Sequence, residues 1–498
     1  MTAKTTGRRR GAALLLGLDA GTTEFKAVLV RARDGARVAA VSLRLPVSAD
    51  GGGRREQQPA ALGAALSRAA ARLRAEAGAA WRQVAGIGLA AQGGSAILAD
   101  RDTGRALTAM QLWNDTRPLS LLPAIAGRRP ASAWTRLTGG LGPGAGLARV
   151  AWLCRRCPDL LPSAGQGALY VGAGEYLYFG LTGVWRQDAC NALQIGCYDV
   201  RRRQLAAWPL ALVGAGLDWV APLRRGHELH PLSAASARRL GLPAGIPVAG
   251  PYIDHEAGYL SAAAAGGRPL QVSLGTAWVG NFVCDRPPPR GPGADFLLPA
   301  PIGRGTLVLR VMRAGNLTWN WGVRELMGGA GPAAWRRADA LCRDDPLPPD
   351  GLLAFPWLAQ RHALDKALSG NGAFLGVRAD TARADLLRAL SAGMAFEFAC
   401  LFDSLRGKPW ADGVTLGGGA SRGPGFQRLL AALFAPLPVR LAAEPDTAGA
   451  RGSIFAFSPR AAQAPSRSLA RPPARLRARA ARQYELYREA RSRLFAAP

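Results

Sequence analysis

Long hydrophobic runs are missing from this chain of 498 residues. No apolar stretch reaches the ~18–20 uncharged residues that a membrane-spanning helix requires, which excludes an integral membrane protein. Lysine is scarce as well: only Lys4, Lys26, Lys366 and Lys408 occur among 63 basic residues, and against 34 acidic residues the formal net charge is +29. Such an excess ordinarily points to a polyanion partner. Here the 59 arginines are scattered through an Ala-, Gly- and Pro-rich background. They lack the clustering and interleaved aromatics of a nucleic-acid footprint, so nucleic acid is disfavoured as a partner. The seven cysteines are odd in number and read as no disulfide framework, which fits a reducing cytoplasm. Cys154-Arg-Arg-Cys157 has no second pair at zinc-ligand spacing. Arg8-Arg9-Arg10 before Gly11–Leu16 imitates a twin-arginine or secretory signal but leads into Gly17 and Asp19 without a small-residue cleavage site. With 49% hydrophobic and 19% charged residues, the chain is neither disordered nor collagenous. Its length implies two to four domains at ~100–200 residues each.

Residues 11 to 45 read as strand, tight turn, strand, turn, strand. Leu14–Leu18 and Lys26–Val30 flank Asp19-Ala-Gly-Thr-Thr23, and Val38 to Leu45 follows the Asp34-Gly35 turn. A Walker or Rossmann loop joins a strand to a helix, whereas this one joins two strands. The device recurs at Gln271-Val-Ser-Leu-Gly-Thr276 before Ala277–Cys284, which suggests an internal duplication. Around these hairpins, 60–79, 145–156, 233–240 and Asp385–Leu405 have helical composition or periodicity, and Val84–Leu98 reads as a strand pair. Val414–Leu416 is a short strand, and Gly417–Gly425 opens onto a helix from Phe426 to Phe434. Pro/Gly-rich loops fall at 286–293 and 344–350. The tail from Arg460 is basic and contains a helical run through Tyr484 and Tyr487.

The chemistry of the first turn suits a triphosphate. Gly21 permits backbone amides to face an anion, Thr22 and Thr23 add hydroxyls, Asp19 can hold hydrated Mg²⁺, and Lys26 can neutralise a terminal phosphate. A lysine retained in an arginine-rich chain indicates that a compact ammonium is wanted there. The competing reading is an ordinary hairpin with a polar tip. Gly417-Gly-Gly419 would let an adenine and ribose lie against bare backbone. A dinucleotide fingerprint competes weakly, since Arg422 stands where its third glycine belongs.

Together these segments resemble the actin-like ATPases, and within them the FGGY carbohydrate kinases, in consistent order from about residue 14 to 495. Trp113-Asn-Asp-Thr-Arg117 is similar to that family's W-x-D-x-R. Leu181-Thr-Gly183 with Gln187-Asp188 resembles its L-T-G…T-D, and Gly245-Ile-Pro-Val248 before Asp254 resembles its approach to the catalytic aspartate. Gly372–Gly376 with Asp385–Ala389, Gly417–Ala420 and Tyr484–Tyr487 resemble later family segments.

The resemblance implies an α/β fold of two actin-like (ribonuclease H-like) domains with an interdomain cleft. The expected divisions are a basic extension 1–12, an N-terminal domain 13–250, a C-terminal domain 251–459 and a tail 460–498. The implied reaction is phosphoryl transfer from MgATP to a hydroxyl of a small ketose, such as a pentulose, or of a polyol. Asp254 is the expected general base, with helix N-capping as its alternative role. ATP is expected at Thr22, Thr23, Lys26, Gly275, Thr276, Gly315, Gly418, Gly419 and Ala420, and Mg²⁺ at Asp19 through water. The sugar pocket is expected from Gln92, Gly93, Gly94, Trp113, Asp115, Arg117 and Asp254; core packing is the alternative for Trp113. His255 reads as a supporting or surface group, and Glu256 as pointing elsewhere.

Departures from the family bear on the substrate. Gln92-Gly-Gly-Ser95 stands where xylulokinase-like members have Q-M-H-G, so Gly93 and Gly94 are expected to open the pocket and Tyr252 to fill part of it. Gln360-Arg361-His362 replaces a Glu-Arg-Thr run, and Ala392 a usual glutamate. Two other classes remain: a sugar- or nucleotide-binding regulatory relative, and a polyanion binder using the tail 460–498. Pairing with a second copy of the chain is compatible with the kinase reading.

Overall fold

The computed structural model describes residues 13–139, 142–160, 167–286, 295–312, 315–358 and 372–495. The expected extension 1–12, the Gln360–His362 run and most of the 286–293 loop lie outside them. Two compact units emerge. The first comprises the chain through Gly266 with Phe296–Arg304 and Thr447–Ala464; the second comprises Gly267–Asp295, Gly305–Asp446 and the chain from Pro465. The division expected at 250/251 falls within the strand Pro247–Ile253, because that strand and the helix after it pack in the first unit.

The first unit is built on a sheet of β1 (Leu14–Ala20), β2 (Glu24–Arg31), β3 (Arg37–Arg44), β4 (Val84–Ala91), β5 (Leu229–Pro231) and β6 (Pro247–Ile253), in the order β5-β6-β4-β1-β2-β3. β1 is apolar almost throughout because both of its faces are covered. Leu14, Leu16 and Leu18 share a core with Leu62, Leu66 and Leu73 of α1 (Pro59–Ala77), while Leu15 packs with Val28, Val30, Ala450 and Ile454. Each such leucine contributes about 1.5–3 kcal/mol when fully buried. Pro59 at the first turn of α1 costs no helical hydrogen bond, and the apolar residues recur at helical spacing until Gly78 ends the helix.

The second sheet has seven strands, and six of them, β7 (Pro269–Leu274), β8 (Trp278–Cys284), β9 (Thr306–Met312), β10 (Gly413–Gly417), β11 (Val439–Ala442) and β12 (Ser466–Ser468), run β9-β8-β7-β10-β11-β12. Both sheets repeat one plan: an antiparallel trio, then two strands added parallel, then an antiparallel edge. The duplication expected from two short turns therefore extends to six strands on each side.

The expected elements form at Pro59–Ala77, Ala145–Arg156, Ala234–Leu240 and Pro424–Leu433. The helix expected to Leu405 ends at Cys400, with a 3-10 turn over Asp403–Leu405. The tail contains the helix Ala474–Phe495. Tyr484 and Tyr487 are buried beneath it and donate to Asp403 (2.8 Å) and Glu397 (2.7 Å). Arg479, Arg482, Arg488 and Arg491 of this helix meet Asp345, Asp350, Asp403 and Glu397. Four of the helix's seven arginines are thus paired with acids of the second unit.

Candidate active site

The parallel strands β1, β4 and β6 bring two aspartates to the same end of the first sheet. Asp19 pairs in register with Ala90 of β4, and Ile253, the last residue of β6, pairs with Ala91. Asp254 follows at once, opening α2 (Asp254–Ala263). Carboxyl ends of parallel strands are where α/β sheets place their ligands, because the connecting turns leave polar groups free there.

Asp19 is under electrostatic load. Its Oδ1 is buried without a hydrogen-bond partner among the described residues, and Gly449, in α3 (Ala448–Ser453), lies against its other oxygen. A Cβ at Gly449 would fall 2.4 Å from Oδ2, so a side chain there would have to displace the carboxylate. Burial, then the charge of Asp254, push the Asp19 pKa up to about 6, with Lys26 opposing. An unpartnered buried carboxylate oxygen beside a second carboxylate fits a divalent cation. Among the described residues no group of three or more metal-ligating side chains gathers, so water and phosphate oxygens would have to complete its shell.

Lys26 Nζ lies 3.5 Å from Glu24, an ion pair that keeps the ammonium beside the turn. Asp254 is the first residue inside its helix rather than the N-cap, which is Ile253; its Oδ1 accepts the His255 N–H at 2.8 Å. Asp254 thus occupies the first turn of its helix, and its carboxylate is partly satisfied by that turn.

Around the turn, Thr22 Oγ1 donates to Gln92 Oε1 (2.8 Å) and accepts from Trp113 Nε1 (3.1 Å). Gln57 donates to the Thr22 carbonyl at 2.6 Å. Thr22 is therefore tied into the expected sugar-pocket group, whereas Thr23 is exposed. Trp113 is 39% exposed, which removes core packing as its role. Asp115 is fully buried, accepting from the backbone N–H groups of Arg55 (2.9 Å) and Arg117 (3.1 Å) and pairing with the Arg117 guanidinium, which also meets Glu56. That pair anchors the segment and leaves Trp113 as its free face.

Two expectations about the pocket need correction. Gly93 and Gly94 do not leave open space: a Cβ at Gly93 would lie 2.4 Å from Ile253 Cδ1, and one at Gly94 would lie 2.0 Å from Gln194 Oε1. Gln194, from the helix Ala189–Ile195, occupies that volume. Tyr252 does not enter the pocket either; it is buried among Ala90, Ala249, Ala257 and Leu260, and burial pushes its phenol up to about 12. Its hydroxyl meets His227 Nδ1 at 2.8 Å, and Arg224 stacks 4.3 Å from its ring centre. Glu256 does point elsewhere: both its oxygens accept from Arg224 at 3.0 Å.

The second unit assembles a different surface. In the turn Gly275–Ala277 the Gly275 N–H reaches the Ala277 carbonyl at 3.2 Å, and Thr276 is exposed. Gly315 precedes the helix Asn316–Leu326, and Asn316 donates from its backbone to Gly275 (3.1 Å) and from its side chain to the Leu274 carbonyl (3.3 Å). Gly418 has φ 82°, and a Cβ there would lie 2.7 Å from the Leu274 backbone. Gly419 is exposed and Ala420 half-buried beside it. Gly275, Thr276, Gly315 and Gly418–Ala420 thus meet on one bare-backbone surface.

Gln57, Gln194, Asn316 and Gly449 were not singled out from sequence. None has a local pattern; each arrives from a distant segment.

Residues 14–261 match the model for the FGGY family of carbohydrate kinases, N-terminal domain, and residues 316–457 that for its C-terminal domain. A glycerol kinase from Methylobacterium nodulans is 32% identical over 201 residues, so the match spans about two fifths of either chain, 39% of each. An erythritol kinase from Brucella abortus is 26% identical over 461 residues, 89% of this chain and 86% of its own. A xylulose kinase from Rhodospirillum rubrum has the same fold, with TM-score 0.82 at 24% identity over 97% of this chain and 99% of its own.

Proposed function

The chain belongs to the FGGY family of carbohydrate kinases, and on that premise we propose that it transfers the terminal phosphoryl group of ATP to a hydroxyl of a small polyol or ketose. The observation that carries the reading is the pairing of Asp19 and Asp254 at the carboxyl ends of parallel strands, the former with an unpartnered oxygen. Asp254 accepts the proton of the attacking hydroxyl, which is a poor nucleophile at its own pKa. The proton moves late in a loose transition state, so Asp254 acts chiefly by orientation. Thr22, Thr23 and Lys26, with Gly275, Thr276, Gly315 and the Gly418–Ala420 segment, are the proposed phosphate and adenosine contacts. Asp19 is the proposed holder of hydrated Mg²⁺, which when bound supplies positive charge to the phosphates. Gln92, Trp113 and Gln194 are the proposed acceptor contacts, while Asp115 and Arg117 position Trp113.

Glycerol, erythritol and xylulose kinases among the relatives support an acceptor of this size without selecting one. The test is ATP consumption by the purified protein against a panel of polyols and ketoses, repeated with Asp254→Ala. Turnover on at least one acceptor, lost by about 10²–10⁴-fold in the variant, is expected. No turnover on any acceptor, with the variant indistinguishable from wild type, overturns the reading. ADP binding without turnover favours a regulatory binder.

A further inference from the structure

A cavity of about 610 Å³ opens on the first unit, away from the two aspartates, between the helix Ala131–Thr138 and the hairpin Tyr198–Leu205. Arg129, Arg136, Arg201 and Arg202 line it together with Asp199 and Trp208. None of the four guanidinium groups has a carboxylate partner among the described residues. The one acid in the lining is already engaged: Asp199 Oδ1 accepts the backbone N–H groups of Arg201 and Arg202, each at 2.9 Å. This contrasts with Arg479, Arg482, Arg488 and Arg491 of the tail helix, which meet acids. Four like charges around one hollow repel each other, and an anion placed between them relieves that repulsion.

The floor and the tip are both built. Trp208 rests against the buried Trp134, ring centres 4.8 Å apart, and Arg129 lies 5.7 Å from the Trp208 ring centre. The hairpin tip closes through Arg203, whose N–H donates to the Asp199 carbonyl at 2.7 Å. Arg203 has φ 55°, the one positive φ among described non-glycine residues. The hairpin docks on the helix through the Val200 N–H and the Leu137 carbonyl at 2.9 Å. The volume lies within the ~300–1,000 Å³ of small-molecule sites.

We infer that this hollow binds a small organic anion carrying two or more phosphoryl groups, its phosphates paired with Arg136, Arg201 and Arg202 and its apolar body against Trp208. Arginine forks suit phosphate oxygens because they donate two parallel hydrogen bonds.

The test is calorimetric titration of the full chain with inorganic tripolyphosphate, with and without saturating ADP, which keeps the glycine turns from competing for the probe. Wild type is compared with Arg201→Gln/Arg202→Gln, with Arg136→Gln, and with a charge-matched control, Arg68→Gln/Arg72→Gln, on the exposed face of α1. A loss of about tenfold or more in each pocket variant, against less than about twofold in the control, is the expected result. Equal losses in pocket and control variants, or no binding by wild type, overturns the site. Tighter binding of a single-stranded oligonucleotide through the same arginines overturns the small-anion assignment.

Discussion

The two Gly-Thr turns occupy equivalent places in two sheets of one strand plan, yet their surroundings are chemically opposite. The first is crowded with charge: Asp19, Lys26, Glu24 and Asp254, with Asp19 pushed up to about 6. The second is framed by bare backbone and one neutral amide, through Gly315, Asn316 and Gly418. The strand plan carries two copies of one turn, and under the proposed function the residues around each copy would divide the work between the phosphates and the adenosine. Charge suits the reacting end of a nucleotide, where negative charge is rearranged. Exposed backbone suits a flat, neutral ring and its ribose.

Asp19→Asn strikes the charged turn hardest. Activity should fall by about 100-fold or more, while the metal-free protein becomes more stable. The sign follows from the raised pKa: between the ordinary 3.8 and about 6 the folded carboxyl holds its proton more tightly than the unfolded one. Folded stability therefore declines as pH rises through that window and is flat above it. The variant should gain up to about 3 kcal/mol in denaturant unfolding near pH 8 and little near pH 4. Equal gains at both pH values would disconnect Asp19 from the charge argument.

Gly418→Ala probes the uncharged turn. Its Cβ must push on the Leu274 backbone 2.7 Å away, and its φ of 82° disfavours any side chain. The KM for ATP should rise about tenfold with the acceptor KM unchanged, as steady-state kinetics would read. A change confined to the acceptor KM would break the division between the turns.

Trp113→Phe is the mildest. It keeps the ring and deletes the Nε1 donation to Thr22. A rise of about three- to tenfold in the acceptor KM is expected, corresponding to one hydrogen bond. An effect on the ATP KM alone would move Trp113 out of the acceptor pocket.

The turns were legible because each is a run of contiguous residues whose types have local consequences: Asp19 ends an apolar strand, Gly21 permits the turn, and Lys26 stands out against arginine. The same holds for Asp188, expected in an L-T-G…T-D segment and found capping the helix Ala189–Ile195. The pocket was misread where contacts are non-local. Gly93 and Gly94 look like vacated space in a linear reading, but Gln194, about a hundred positions later, fills it. Tyr252 follows cis-Pro251 on β6 and turns into the core instead of the pocket. The rival reading of the basic tail as a polyanion surface is weakened where Arg479, Arg482, Arg488 and Arg491 meet acids of other segments.

By itself the sequence determined the strand–turn–strand hairpins and their repetition, because strand and turn chemistry act over a few residues, while the fold class and Asp254 became legible through the ordered family segments. Only the tertiary structure decided which charges are free. Among the described residues Asp19 keeps an unpartnered oxygen, Asp115 spends its own on Arg117, and four arginines around Trp208 have no carboxylate partner while others are neutralised. Pairing and burial are relations between segments far apart in the chain, and they set what each side chain can still do.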